Sequence, residues 1–257
     1  MAHLRTRQER APKVGRDSRL RRRRRGHLRR PPVSPVGERS GTRSRIGQGV
    51  ERDRRVLGTI ASKTKGAGGV YVLKDLDVLF IADPQVDFMP GGALAVPEGD
   101  KIFEPLNRLT HRFHLVIASQ DWHPVDHISF RERGGPWPPH CVQMTAGADF
   151  HPKLDQSNLG LIVRKGYVPD QEQYSAFHKF DLAGMLRGRG TERVFVAGVA
   201  TEYCVHDSAM GALEGDLEVY VLRDCVGPIE VEPGDEERAL ANLEKRGAVI
   251  IQSNELK

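Results

Sequence analysis

Short, nearly continuous apolar runs recur along the chain from about residue 70 onward, and stretches with helical spacing separate them. The first run, Leu76–Ala82, is typical of a strand that is buried on both faces of a sheet. The stretch after it carries Ile102, Leu106 and Leu109 on one helical face, which predicts an amphipathic helix. The further predicted strands are Leu115–Ser119, Leu159–Val163, Val194–Val199, Leu217–Leu222 and Val249–Gln252, and the further predicted helices are Phe180–Leu186, Thr201–Leu213 and Asp235–Lys245.

Strands that alternate with helices predict an α/β fold, a three-layer α/β/α arrangement around a six-stranded, mostly parallel sheet of the Rossmann-like type. In such sheets, ligands bind at the carboxyl ends of the strands. Residues 120–158 are rich in Pro, Gly and His and show little periodicity, so they are expected to form a long loop. A loop of that length in a compact domain is usually functional.

Charge divides the chain into two parts. The 257-residue protein has a net charge of +5, yet residues 1–55 carry 18 Arg and one Lys against five acidic residues, so this segment is at +14 and the remainder at −9. Residues 1–58 have almost no large apolar side chains, which predicts a disordered tail or an extension upstream of the true start, and residues 70–257 are predicted to form the folded domain. Nucleic-acid binding by the tail is not expected, because no aromatic residues lie among the arginines.

Three cysteines, Cys141, Cys204 and Cys225, are too few for a disulfide framework and are typical of a reducing compartment. No apolar run approaches the roughly 20 residues that a membrane span needs. The N-terminus lacks the apolar segment of a secretory signal. We therefore expect a soluble, cytoplasmic protein without a membrane partner, and the sequence leaves a homo-oligomer open.

Polar residues suited to nucleophilic catalysis follow three of the predicted strands. Asp83 follows the first strand, Lys165 the third and Cys204 the fourth, so all three are expected in one crevice. A position at the start of a helix would favour a Cys204 thiolate, Lys165 would lower the pKa of the thiol, and Asp83 would serve as general base. Spacing alone leaves the alternative that Cys204 is a small buried core residue.

A second group of polar residues offers metal ligands in the long loop. Asp121, His123, His127 and His140 supply one carboxylate and three imidazoles. This set suits one divalent ion such as Zn²⁺, Fe²⁺ or Mn²⁺. Solvated surface histidines are the alternative interpretation.

Aromatic residues in the loops after the strands form a third group. Phe88, Trp137, Tyr174 and Phe177 are candidates for holding a flat ring, and Tyr203, next to Cys204, is added to the predicted substrate-binding set. Spacing alone supports equally the alternative that these aromatic residues only pack the protein interior.

Taken in order, these segments resemble the nicotinamidases (pyrazinamidases) among the isochorismatase-like cysteine hydrolases. The resemblance extends from residue 76 to about residue 252, which makes it specific although each motif alone is weak. The matching segments are Asp83–Phe88 (DPQVDF), Gly91–Val96 (GGALAV), Ser119–Pro124 (SQDWHP), Trp137–Val142 (WPPHCV), Gly147–Pro152 (GADFHP), Lys165–Gly166, Tyr174–Phe177 (YSAF) and Gly198–Val205 (GVATEYCV).

The resemblance implies a catalytic triad of Asp83, Lys165 and Cys204. It implies that the Val199–Ala200 peptide is cis and that the amides of Ala200 and Cys204 form an oxyanion hole. The implied activity is deamidation of nicotinamide to nicotinate and ammonia in NAD salvage, with pyrazinamide as a further substrate.

The resemblance also implies that Asp121, His123, His127 and His140 hold the metal ion, which binds the pyridine nitrogen, while Phe88 and Trp137 flank the ring. Only three residues separate His123 from His127, fewer than in some relatives. The alternative is another amidohydrolase on the same scaffold, acting on a carbamoyl, ureido or maleamate-type substrate. Such relatives generally lack the four-ligand cluster, and isochorismatases lack the catalytic cysteine.

Overall fold

The computed structural model describes residues 69–257, so the predicted tail of residues 1–58 and the domain boundary after it lie outside the described residues. The described part contains a six-stranded sheet in which every neighbouring pair is parallel. The strands are β1 (Val78–Ala82), β2 (Leu115–Asp121), β3 (Leu159–Lys165), β4 (Arg193–Val199), β5 (Glu218–Gly227) and β6 (Val249–Ile251), and the α-helices are α1 (Phe103–Thr110), α2 (Leu182–Gly188), α3 (His206–Glu214) and α4 (Asp235–Lys245).

The strand order β3-β2-β1-β4-β5-β6 creates a switch point between β1 and β4. The chain moves outward from β1 to β2 and β3, then returns to β4 beside β1 and moves outward on the other side. Connections after β1 and β4 therefore leave the sheet in opposite directions and open a crevice at its carboxyl edge. The predicted catalytic residues after these two strands, Asp83 and Cys204, lie at this crevice.

Side-chain alternation along β1 explains the three layers, because both faces of this fully buried strand meet a core. Leu79 and Ile81 belong to the core that contains the apolar side of α1. Phe80 points to the opposite core, which contains apolar residues of α2, α3 and α4. The predicted α/β/α architecture is confirmed, with one α-helix on one face and three on the other.

The predicted helix over Thr201–Leu213 differs from the structure in its first turn. Thr201–Val205 is a π-helical turn, and α3 begins only at His206. This turn is called here the nucleophile turn, after the predicted nucleophile Cys204 that it contains. The carbonyl of Ala200 accepts hydrogen bonds from the N–H groups of both Tyr203 and Val205, which widens the turn. A period of 3.6 in the apolar positions does not reveal such a local widening.

Within residues 69–257, no helix combines the length and apolar character that a membrane crossing requires.

Candidate active site

Asp83 stands directly after β1 and is completely buried. Its φ of 43° lies in the left-handed region, which turns the side chain away from the direction of the strand. The hydroxyl of Ser119 donates to Asp83 Oδ1 over 2.7 Å and accepts from the Asp83 N–H over 3.2 Å. Burial raises the pKa of Asp83, although the ammonium of Lys165 opposes this rise. Asp83 is therefore a stronger base than an exposed aspartate.

Lys165 is the last residue of β3, and its side chain reaches the centre of the crevice without any solvent exposure. Its Nζ lies 2.9 Å from Asp83 Oδ2, 2.5 Å from Asp121 Oδ1 and 3.2 Å from the sulfur of Cys204. Burial disfavours the ammonium, but Asp121 and Asp83 raise the pKa of Lys165 well above its usual value. Lys165 is thus a permanent cation between two buried carboxylates and the thiol.

Cys204 lies in the nucleophile turn and is 4% exposed. A carboxylate oxygen of Asp83 lies within 4.8 Å of its sulfur. Burial raises the pKa of the Cys204 thiol well above its ordinary value, with Lys165 opposing and Asp83 adding to the rise. Lys165 favours ionisation of this thiol, in the direction expected from the sequence, but the desolvation of a sulfur buried in this turn outweighs the neighbouring ammonium. The site holds a thiol beside a carboxylate that is able to accept its proton.

The peptide bond between Val199 and Ala200 is cis, as the family resemblance implied. Gly198, which precedes it, has a φ of 111°, and a Cβ at this position would lie 2.1 Å from the carbonyl oxygen of Ala82. Only glycine allows β4 to approach the end of β1 this closely while turning into the nucleophile turn.

Two acidic side chains fix the nucleophile turn to the segment that follows β5. The Thr201 hydroxyl donates to Glu236 over 3.1 Å, and Arg223 holds Glu236 through two hydrogen bonds of 2.8 and 2.7 Å. The Glu202 carboxylate accepts the N–H groups of residues 229 and 230. These contacts are not predictable from the sequence, because they join positions that are distant in the chain.

Three of the predicted ligands form a buried cluster, called here the metal cluster after its predicted role: Asp121, His123 and His140. Their potential ligand atoms lie within 4.8 Å of one another. The Nδ1 of His123 is 2.9 Å from the carbonyl of Gly166, and the Nδ1 of His140 is 2.8 Å from the carbonyl of Pro138. Carbonyls only accept, so both rings carry a proton on Nδ1, which leaves Nε2 as the nitrogen that could bind a metal, the usual arrangement of metal-binding histidines. The donor set fits one divalent cation.

The pKa shifts of these residues favour cation binding by the cluster. Burial lowers the pKa of His140 to about 4, although Asp121 opposes the change. For Asp121, burial works against ionisation, but Lys165 and His123 outweigh it and lower the pKa. In His123, burial likewise lowers the pKa, and Asp121 more than reverses this. A neutral imidazole and an ionised carboxylate are thus available at neutral pH.

His127, the fourth predicted ligand, packs its ring against that of His123 at 4.2 Å between centroids, but its nitrogens have other partners. Its Nδ1 accepts from the N–H of Ser129 and lies 2.7 Å from the hydroxyl of that residue. Its Nε2 lies 3.1 Å from the carbonyl of Gln171 and is therefore the protonated nitrogen. The described structure brings three of the four predicted ligands together and leaves His127 beside them without a free lone pair.

Gln85 holds the backbone of the predicted metal ligand Asp121 in place. Its side-chain amide donates to the carbonyls of Asp121 and Ala148, and its side-chain oxygen accepts the Asp121 N–H over 2.7 Å. Asp87 similarly accepts the N–H of Cys141, next to His140. Both residues were quoted in the motif that carries the resemblance, but their contacts are visible only in the folded chain.

The predicted aromatic residues lie in three places. Trp137 and Tyr174 both pack on Tyr203, with centroid distances of 5.1 and 5.5 Å, and the Trp137 indole donates to the Tyr174 hydroxyl over 3.0 Å. Phe88 contacts His140 at 5.5 Å between centroids. Phe177 instead packs edge-on against Phe80 in the core below the sheet. Four of the five residues therefore lie beside the nucleophile turn or the metal cluster.

The fold and this arrangement of residues define a family. The isochorismatase domain model matches residues 77–255, and the chain belongs to the isochorismatase family. A nicotinamidase of Escherichia coli is 36% identical over 197 residues, which cover 67% of this chain and 92% of that protein.

Solved structures show the same relationship. A pyrazinamidase of Pyrococcus horikoshii in complex with zinc is 52% identical with a TM-score of 0.64, over 68% of this chain and 98% of that one. A protein of L. infantum in complex with nicotinate is 39% identical with a TM-score of 0.69, over 72% of this chain and 97% of that one.

Proposed function

We propose that this chain is a metal-dependent cysteine amidohydrolase that converts nicotinamide into nicotinate and ammonia in NAD salvage, and that it also accepts pyrazinamide. The observation that carries the proposal is the burial of Cys204, Lys165 and Asp83 in mutual contact beside the Asp-His-His cluster. The names of the similar proteins support it, since they include nicotinamidases, a pyrazinamidase and a structure that contains nicotinate.

The chemistry follows from the protonation states of the three residues. Asp83 accepts the proton of the Cys204 thiol, and the thiolate attacks the carboxamide carbon. Asp83 then gives its proton to the nitrogen of the tetrahedral adduct, and the C–N bond breaks. Ammonia departs, and the acyl group remains bound to Cys204 as a thioester. A water molecule then attacks the thioester while Asp83 takes a proton from it. That proton returns to sulfur, and the product carboxylic acid loses its remaining proton to solvent and leaves as nicotinate.

Two features of the site stabilise the charges that develop. The backbone amides of Ala200, directly before the nucleophile turn, and of Cys204, within it, are proposed as the oxyanion hole. The Lys165 ammonium, 3.2 Å from the sulfur, stabilises the thiolate and keeps Asp83 ionised before attack. Lys165 itself has no proton to give, because both neighbouring carboxylates hold it in the charged form.

Asp121, His123 and His140 are proposed to hold one divalent ion, with zinc as the first choice among zinc, iron and manganese because a similar pyrazinamidase contains zinc. An ion held by these residues would supply a Lewis acid for a ring nitrogen of the substrate. We propose His127 as a support for the His123 ring, with a role as ligand only if its contact to Gln171 opens.

The aromatic side chains around the crevice are proposed to bind the substrate ring. Phe88 lies at the metal cluster, whereas Trp137, Tyr174 and Tyr203 lie at the nucleophile turn. A flat heteroaromatic ring between these two groups would place its amide at Cys204. Phe177 is proposed to support the wall of this pocket from the core.

Ammonia release from nicotinamide tests the function. Wild type, Cys204→Ala and a Cys225→Ala control are compared with and without zinc, and maleamate and a carbamoyl amide are measured in parallel. We expect wild type and the Cys225→Ala control to hydrolyse nicotinamide and Cys204→Ala to be inactive. An inactive zinc-loaded wild type contradicts the substrate, whereas a preference for maleamate supports a different amidohydrolase on this scaffold.

A further inference from the structure

The hydroxyl of Ser119 lies at the Asp83 carboxylate, and no step of the proposed reaction uses it. Ser119 is completely buried on β2, and it follows the apolar residues Val116–Ala118. A hydroxyl in such surroundings is unfavourable unless it is hydrogen-bonded. Within residues 69–257 the hydrogen bonds of this hydroxyl are to a single residue: it donates to Asp83 Oδ1 over 2.7 Å and accepts from the Asp83 N–H over 3.2 Å.

These contacts make the two oxygens of Asp83 different. Oδ1 is occupied by the Ser119 hydroxyl. Oδ2 is buried, and it lies 2.9 Å from the Nζ of Lys165. Among the described residues no well-directed hydrogen bond ends on Oδ2, although the ammonium is in ionic contact with it. Oδ2 therefore has the capacity to accept a proton, and the Cys204 thiol lies within reach of this carboxylate.

We infer that Ser119 is a positioning residue that holds the Asp83 carboxylate in the rotation where Oδ2 receives the thiol proton. The inference rests on the proposed function in that it takes Cys204 as the nucleophile. Since the hydroxyl binds both the side chain and the backbone N–H of Asp83, it fixes the carboxylate relative to its own main chain. Without it, rotation about the Asp83 side chain exchanges the two oxygens and lets the ammonium of Lys165 bind either of them.

The test compares Ser119→Thr with Ser119→Val, which have the same shape and differ in the hydroxyl alone. The first readout is the rate at which iodoacetamide alkylates Cys204, followed by mass spectrometry of its peptide. The second is kcat and KM for nicotinamide, and the third is zinc content, because Asp121 is two residues away. We expect Ser119→Val to lose about tenfold to a hundredfold in alkylation rate and in kcat relative to Ser119→Thr, with KM and zinc content unchanged.

Two results would overturn the inference. Equal alkylation rates in the Thr and Val variants would show that the hydroxyl does not position the base. Faster alkylation in the Val variant would show that Ser119 only stabilises the carboxylate charge, because losing that bond makes Asp83 more basic. If branching prevents both variants from folding, wild type against Ser119→Ala makes the same comparison. Alkylation needs no substrate, so it decides the role of Ser119 even if wild type fails to hydrolyse nicotinamide.

Discussion

Replacing Lys165 by methionine removes the cation from between Asp83 and Asp121 while keeping a side chain of similar length. The two ionic contacts, 2.9 and 2.5 Å long, are each worth about 6 kcal/mol in gross Coulomb energy at an effective dielectric constant of about 20. Desolvation of the three charges offsets much of this. Breaking a buried ion pair on one side usually costs about 3–5 kcal/mol, which is the loss of unfolding free energy expected for Lys165→Met.

The loss should depend on pH in a defined direction. Without the ammonium, burial and mutual repulsion raise the pKa of Asp83 further above its unfolded-state value, so the folded variant binds more protons than the unfolded chain. Stability gained by protonation is present at low pH and is lost as pH rises through the folded pKa. The deficit of Lys165→Met against wild type is therefore expected to be larger at about pH 8 than at about pH 5.5.

Urea unfolding of chelator-treated protein at both pH values measures the effect. Lys153→Met is a matched control, because Lys153 forms a surface ion pair with Asp100 over 2.6 Å and its side chain is 58% exposed. Such a pair contributes about 0–1 kcal/mol. A Lys165→Met protein as stable as this control, or a deficit that grows on acidification, would refute the electrostatic account of the site.

Three further outcomes are expected. His140→Ala should lose most of the zinc that wild type retains after dialysis, whereas His127→Ala should retain more zinc than His140→Ala. Equal zinc losses in the two variants would make His127 a ligand. Gly198→Ala should lower the unfolding free energy by about 2 kcal/mol or more, measured by urea, because the new Cβ would meet the Ala82 carbonyl at 2.1 Å in a left-handed conformation. Burial raises the pKa of Asp83, and the reaction needs its carboxylate. On acidification, kcat/KM should therefore fall with a midpoint above the ordinary aspartate pKa of about 4. A midpoint below that pKa would contradict Asp83 as the base.

The sequence predicted the elements that depend on burial alone. β1 and β4 are apolar throughout because both of their faces meet a core, and this pattern is visible without a structure. The strand-end rule placed Asp83, Lys165 and Cys204 in one crevice, and the structure brings them into contact.

Properties that depend on three-dimensional surroundings were not predictable in the same way. Lys165 favours ionisation of the Cys204 thiol, as expected from the sequence, but the degree of desolvation that opposes it is set by packing from distant segments. The tautomer of His127 follows from its contacts to Ser129 and Gln171, which spacing does not reveal. Ser119 was quoted only as part of a motif, because a single hydroxyl in a strand carries no signal of its partner.

Asp121 connects the proposed metal-binding cluster to the proposed catalytic triad. Its Oδ1 is 2.5 Å from the Nζ of Lys165, and its Oδ2 is 3.5 Å from the Nε2 of His123. The same carboxylate therefore belongs to the group that would bind the ion and to the group that surrounds the Cys204 sulfur. A substrate that uses both groups must be small and rigid, with a ligand atom at one end and an amide carbon at the other. An aromatic amide with a ring nitrogen meets this requirement, whereas a flexible aliphatic amide would leave the ion without a ring nitrogen to bind.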